Sequence, residues 1–267
     1  MFDEGDEVIL PKILKALLIL FLLVLVAIIA WIGLVFFPQP FFAGKVEADR
    51  LTLYADLPMS IELRAALQEA AHRIAAIESP DSDRRYRVFY SANPRRYAFF
   101  AKLTRLNPKS QGFGLYTAGN IFISEAGLTA FERLGMEPIP HSRFEGSIAH
   151  VIAHEVAHFV NLRERGFRKS RALPVWKSEG FADWAATYSS RGEAPEDDFG
   201  DRLAVLLNEE TWPYQAPHLR SFLKWQIMAE FHFDILGRSL EDFLDPALTE
   251  EVLWTEMRSR PGLGDEI

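Results

Sequence analysis

The chain has 267 residues, 49% hydrophobic and 25% charged, with a formal net charge of −8. That length supports one good-sized core, and the acidic balance, with no basic cluster standing out, argues against a nucleic-acid groove. There is no cysteine, which excludes disulfides, thiolate metal sites and cysteine nucleophiles.

Ala16–Phe37 carries no charge. At about 1.5 Å per residue a helix of this length crosses a hydrocarbon core of roughly 30 Å. Lys12 and Lys15 lie just before the run, Trp31, Phe36 and Phe37 near its far end, and the next cations are Lys45 and Arg50. Closer positive charge on the N-terminal side predicts a cytoplasmic N-terminus. The expected order is a cytoplasmic tail (1–15), a transmembrane anchor (16–37), a linker (38–45) and a domain outside the cytoplasm, periplasmic or extracellular (46–267). A cleaved signal peptide is the competing reading, but the run exceeds a signal's apolar region and no A-x-A-like site follows.

Downstream, RLTLYAD (50–56) reads as a strand and SIELRAALQEAAHRIAAIES (60–79) as a helix with apolar residues at helical spacing. Tyr86–Tyr90 alternates as a strand does, and PRRYAFFAKLTRL (94–106) reads as a helix. Gly112–Thr117 and Asn120–Ser124 flank AGN, a hairpin signature. A helix is expected from near Ser142 to near Gly166, with Arg163 and Arg165 in its last turn and Gly166 as a left-handed cap. FRKSRALP (167–174) reads as a polar connection, and a second helix, VWKSEGFADWAATYSS (175–190), is entered through Pro174. RGEAPEDD (191–198) is expected as a loop and 199–258 as helical.

The helix near Ser142–Gly166 carries HVIAHEVAHFV, with His150, His154 and His158 at intervals of four. Residues four apart lie about 6 Å apart along a helix and share a face, so adjacent histidines can share an ion, whereas His150 and His158 are too far apart for one ion to take all three. Glu155 decides the pair. It projects about 100° from His154, beside the site, where it can reach a metal-bound water without ligating the metal. Two imidazoles holding zinc and a carboxylate taking the water's proton is a zinc-hydrolase arrangement. Phe144, Ile148, Val151, Ile152, Val156 and Phe159 mark the buried side; Glu155 falls in that arc, where a carboxylate is costly unless compensated. His150 lies away from the apolar side and is assigned no function.

A catalytic zinc takes three protein ligands and keeps an open position. Without cysteine the third is His, Asp or Glu. Glu179 and Asp183 stand four apart in the apolar setting VWKSEGFADWAA, twenty residues on, far enough for an antiparallel helix to return. A solvated acidic edge is the bland reading of such a pair. In the metal reading Glu179 ligates, Asp183 fixes the tautomer of a ligand imidazole, and Gly180 lets the two helices approach.

His154, Glu155, His158, Glu179 and Asp183 together resemble the gluzincin metallopeptidases, the thermolysin and aminopeptidase superfamily. Their third ligand lies on a second helix at a similar interval, often as W-x-x-E-G-x-A; Trp176–Ala182 reads WKSEGFA. EGFAD also resembles the E-x-x-A-D of membrane-bound zinc endopeptidases, which usually place it much further from the histidines. The resemblance covers roughly residues 110–190. It implies an α+β, zincin-like domain with a small mixed sheet, an active-site helix and a helical C-terminal part, here behind one transmembrane helix. It implies a polypeptide-binding edge strand before the motif helix, where Gly112–Thr117 stands; an ordinary hairpin is the other reading. It also implies a downstream Tyr or His that stabilises the oxyanion, with Tyr214, His218 and Tyr188 as candidates. The expected function is a membrane-anchored Zn2+ metallopeptidase acting on peptides or proteins, with Glu155 as general base and no nucleic-acid partner. The alternatives are a non-peptidase zinc hydrolase and an inactive membrane-tethered binding protein.

Overall fold

The computed structural model describes residues 6–78, 82–129, 142, 146–188, 195–207 and 217–260. Helix α1, Asp6–Phe36, is continuous. Its Lys12–Phe36 stretch is long and apolar enough to cross a membrane, a composition that a signal sequence shares. Its last turns touch the rest of the protein: Trp31 Nε1 donates to the Leu103 carbonyl at 3.2 Å, and Asn120 Nδ2 donates to the Val35 carbonyl at 2.9 Å.

The architecture is mixed α+β, with one five-stranded sheet. Strands β1 (Gly44–Ala48), β2 (Leu51–Ala55), β3 (Tyr86–Ser91), β4 (Gly112–Leu115) and β5 (Asn120–Ser124) lie in the order β1-β2-β3-β5-β4. The three inner strands are parallel and the two outer ones antiparallel to their neighbours. Parallel strands need crossovers. Helix α2 (Ile61–Ile77) joins β2 to β3, and α3 (Pro94–Leu103) lies between β3 and the β4–β5 hairpin. Ser60 caps α2 by accepting from the Leu63 amide, and Leu63, Leu67, Ala70 and Ile74 form its buried stripe.

Alternation along the strands gives each face its own core. Leu51, Leu53, Tyr86, Val88, Ile121 and Ile123 pack towards α2 and the histidine-bearing helix. Phe89, Phe113 and Phe122 pack on the opposite face with Phe42, Tyr97 and Phe100. After the short helix α4 (Glu125–Leu128), the histidine-bearing helix α5 runs Ile148–Arg165, so it begins later than its sequence suggests. Ser147 is the reason: its hydroxyl accepts from the His150 amide and supplies the N-cap. Gly166 ends the helix with φ +77°, although its ψ of 160° is extended rather than left-handed helical.

A short helix, α6 (Phe167–Arg171), occupies most of the expected polar connection. Helix α7 is Val175–Tyr188, and α8, Pro195–Leu207, starts inside the expected loop. Among the described residues beyond 216 the chain is mainly helical, as expected: α9 (Pro217–Glu230), a wide turn at Phe231–Ile235, α10 (Leu240–Leu244) and α11 (Glu250–Arg258). Ala157 of α5 joins Trp176, Phe181, Ala182, Leu223, Ile227 and other buried residues in a third core among these helices. Helix α5 therefore lies between the sheet and α7, packed on two sides. Arg73 Nη1 of α2 donates to the Ala186 carbonyl at 3.1 Å, which fixes the far end of α7.

Candidate metal centre

Helix α5 meets the sheet with Val151, Ile152, Val156 and Phe159. Its other face presents His150, His154, Ala157 and Asn161, all buried. Ala157 leaves room on that face for α7, whose Glu179 and Asp183 reach the imidazoles.

Two imidazole nitrogens and the Glu179 carboxylate form a triangle, with a different carboxylate oxygen nearest each nitrogen. His154 Nε2 and His158 Nε2 are 3.1 Å apart, His154 Nε2 is 3.6 Å from Glu179 Oε2, and His158 Nε2 is 3.5 Å from Glu179 Oε1. Zinc bonded to nitrogen and oxygen at about 2.0–2.1 Å in a tetrahedron sets its ligand atoms roughly 3.3–3.5 Å apart. The observed edges match that spacing within a few tenths of an ångström. His158 and Glu179 are partly exposed, so one side of the triangle faces outward.

Asp183 is fully buried, and its Oδ1 lies 2.7 Å from His154 Nδ1. A carboxylate oxygen so close to a ring nitrogen must be accepting an N–H. This assigns the proton of neutral His154 to Nδ1 and leaves a lone pair on Nε2, pointing into the triangle. On the other imidazole, Ser178 Oγ lies 3.4 Å from His158 Nδ1.

His150 lies away from the apolar stripe, as its position in the sequence predicts, but it is not left without contacts. It is buried, stacks on the His154 ring at 6.1 Å, and places Nε2 3.3 Å from Asp183 Oδ1. A stripe on one side of α5 is readable from periodicity, but the cover that α7 puts over the other side is not. His150, His154 and Asp183 also form a potential ligand group. Both imidazoles address the same Asp183 oxygen in a hydrogen-bond fork, at 3.3 Å from His150 and 2.7 Å from His154. The group formed by His154, His158 and Glu179 has the spacing a metal requires.

Glu155 projects to the side, against β4. A Cβ added to Gly114 would lie 3.0 Å from Glu155 Oε2 and 2.5 Å from Phe159 Cε1, so the absence of a side chain there makes room for the carboxylate. A recess of about 80 Å³ opens beside it, lined by Ser110, Gln111, Gly112, His150, Val151, His154 and Glu155. That volume is large enough for water. Glu155 is thus half-buried at a polar recess that it shares with His154.

Gly180 does allow a close helix approach, but to α9 rather than α5: an added Cβ would lie 2.5 Å from the Trp225 carbonyl oxygen. Tyr214 lies outside the described residues, as do the side chains of Tyr188 and His218. Sequence reading missed His150 and Ser178; the regular four-residue spacing of the three histidines was the available signal for His150. No family model matches the chain, and no curated protein matches it.

Proposed function

We propose that this chain is a zinc metallopeptidase of the gluzincin type, tethered by α1 with its catalytic domain outside the cytoplasm. The triangle of His154 Nε2, His158 Nε2 and the Glu179 carboxylate carries the proposal, because its spacing fits a tetrahedral zinc and the Asp183 contact aims a lone pair into it. The donor set, two imidazoles and one carboxylate without cysteine, is one that catalytic zinc uses. Zinc bound there supplies a Lewis acid that activates water and polarises a carbonyl.

The chain's own residues do the rest. Asp183 holds the proton of His154 at Nδ1, and Ser178 lies beside Nδ1 of His158. The Glu155 carboxylate, one residue from His154 and open to the recess, accepts the proton from the attacking water and passes it to the leaving amine. Strand β4 pairs with β5 along one edge and has no strand partner on the other among the described residues. An extended peptide added at that edge would run beside Glu155. This arrangement, an antiparallel edge strand beside the motif helix, supports a zincin-like identity for the fold.

The test is zinc content in the full chain purified in detergent. The parent should hold about one zinc per chain, and Glu179→Ala should lose most of it, as removing one of three ligands dictates. Full occupancy of Glu179→Ala at low free zinc would exclude this ligand set.

A further inference from the structure

The chain is acidic overall, yet its cations are not evenly spread. From Arg84 to Ser124 there are eight Lys or Arg residues and no Asp or Glu. This segment holds α3, which packs on the sheet face opposite α5. Lys102, Arg105 and Lys109, at the end of α3 and in the turn after it, are exposed. Between and beside them stand exposed apolar side chains: Phe99 is 47% exposed and Leu106 40%. Phe37 and Phe41, just past the end of α1, are 61% and 44% exposed. The apolar residues form one patch, since Phe99 and Phe41 both pack edge-on against Phe100.

The place of this patch relative to α1 is fixed. Lys12–Phe36 is 25 residues, which at 1.5 Å per residue is longer than a hydrocarbon core of about 30 Å. Trp31 stands five residues before the end of α1, roughly 7 Å along the axis, where an indole favours the boundary between acyl chains and headgroups. Its Nε1 donates to the Leu103 carbonyl at 3.2 Å. Whatever level Trp31 occupies, the turn Leu103–Leu106 occupies too.

We infer that the end of α3 and the following turn dock on the bilayer that α1 crosses, with Phe99 and Leu106 entering the interface and Lys102, Arg105 and Lys109 engaging anionic headgroups. The inference rests on the reading of α1 as a membrane anchor. Apolar side chains flanked by Lys and Arg are the chemistry of an interfacial contact, and basic residues close to a bilayer are drawn to anionic lipid. Because α3 and α5 lie on opposite faces of the sheet, this contact leaves the metal face clear of lipid. The substrate would then be a soluble polypeptide or an extramembrane segment, not a bilayer-embedded helix.

The absence of native cysteine makes the test direct. Single-cysteine variants Leu106→Cys, Leu22→Cys and Val252→Cys of the full chain carry an environment-sensitive fluorophore. They are reconstituted in bilayers of phosphatidylcholine with and without phosphatidylglycerol, containing lipids that carry a nitroxide quencher either high on or deep in the acyl chain. Labels at 106 and 22 should be quenched and the label at 252, on α11, should not. Combining Lys102→Glu, Arg105→Glu and Lys109→Glu should abolish quenching at 106 in the anionic bilayer and leave it at 22. Quenching at 22 with none at 106 would overturn the docking while leaving the anchor intact. No quenching at 22 would remove the anchor and the docking with it. No quenching at 106, with the full chain retaining RNA through these basic residues, would assign the surface to nucleic acid instead.

Discussion

At the scale of single residues, the centre depends on where protons sit. Asp183 Oδ1 accepts from His154 Nδ1 at 2.7 Å and lies 3.3 Å from His150 Nε2, so one buried oxygen sets the orientation of two imidazoles. Asp183→Asn keeps an acceptor oxygen of similar shape but removes the charge that would make His154 a stronger zinc ligand. It should lower zinc affinity about 10- to 100-fold, the usual effect of a group behind a metal ligand; competition with a chelator measures it. An unchanged affinity would show that Asp183 serves packing alone. Helical spacing and residue chemistry singled out His154, Glu155 and His158 on one helix and Glu179 and Asp183 on the next, and the structure brings His154, His158, Glu179 and Asp183 together. The sequence did not reveal His150 and Ser178, whose roles depend on how closely α7 covers α5. Ser178 is one residue from Glu179, but nothing in its own spacing marks it as a neighbour of His158.

At the scale of elements, the site rests on the spacing of helices. Helix α7 carries Glu179 and Asp183 between α5 and α9, and Gly180 is where α7 and α9 come closest. Gly180→Ala brings two opposed effects. Alanine improves helix propensity by up to about 1 kcal/mol. The new Cβ would lie 2.5 Å from a backbone oxygen, which cannot rotate aside as a side-chain tip can. Overpacking of this kind costs about 1–3 kcal/mol, so the net effect should be a destabilisation of roughly 1–2 kcal/mol. The midpoint of thermal unfolding would fall, and a rise would show that α9 yields without strain. Most elements were legible from periodicity: α2, α3, the hairpin of β4 and β5, and the helices α5 and α7. Strand β1 was not, because GKVEA is short and its residues are only half-buried or exposed. The start of α5 was misplaced because the amphipathic pattern continues upstream of the residue whose side chain caps the helix.

At the scale of the whole molecule, acid should act on the helical C-terminal part before it titrates the carboxylates there. His232 is buried at the start of the wide turn that follows α9, with Nε2 donating to the Ser239 carbonyl at 3.1 Å. Burial pushes its pKa below the ordinary 6.5. The unfolded chain therefore binds the proton more readily, so this contribution to stability is present above about pH 6.5 and is lost as pH falls through the window below it. Glu256, held by Arg238, and Asp242, held by Ser239, are shifted below their ordinary values of 4.5 and 3.8 and lose their contributions only in stronger acid. In zinc-free protein, the urea midpoint should fall between about pH 7 and 5, and His232→Gln should flatten that slope. An identical slope in the variant would place the sensitivity elsewhere. The central claim is that this molecule uses the centre to hydrolyse peptide bonds, with Glu155 moving the proton. The most direct measurement takes zinc content and proteolysis from the same sample of Glu155→Gln, which keeps both ligand histidines and nearly the same shape. Zinc should remain at the parental level while proteolysis drops by about 10²- to 10⁴-fold, the contribution typical of general-base catalysis. Retained zinc with undiminished proteolysis would contradict the account.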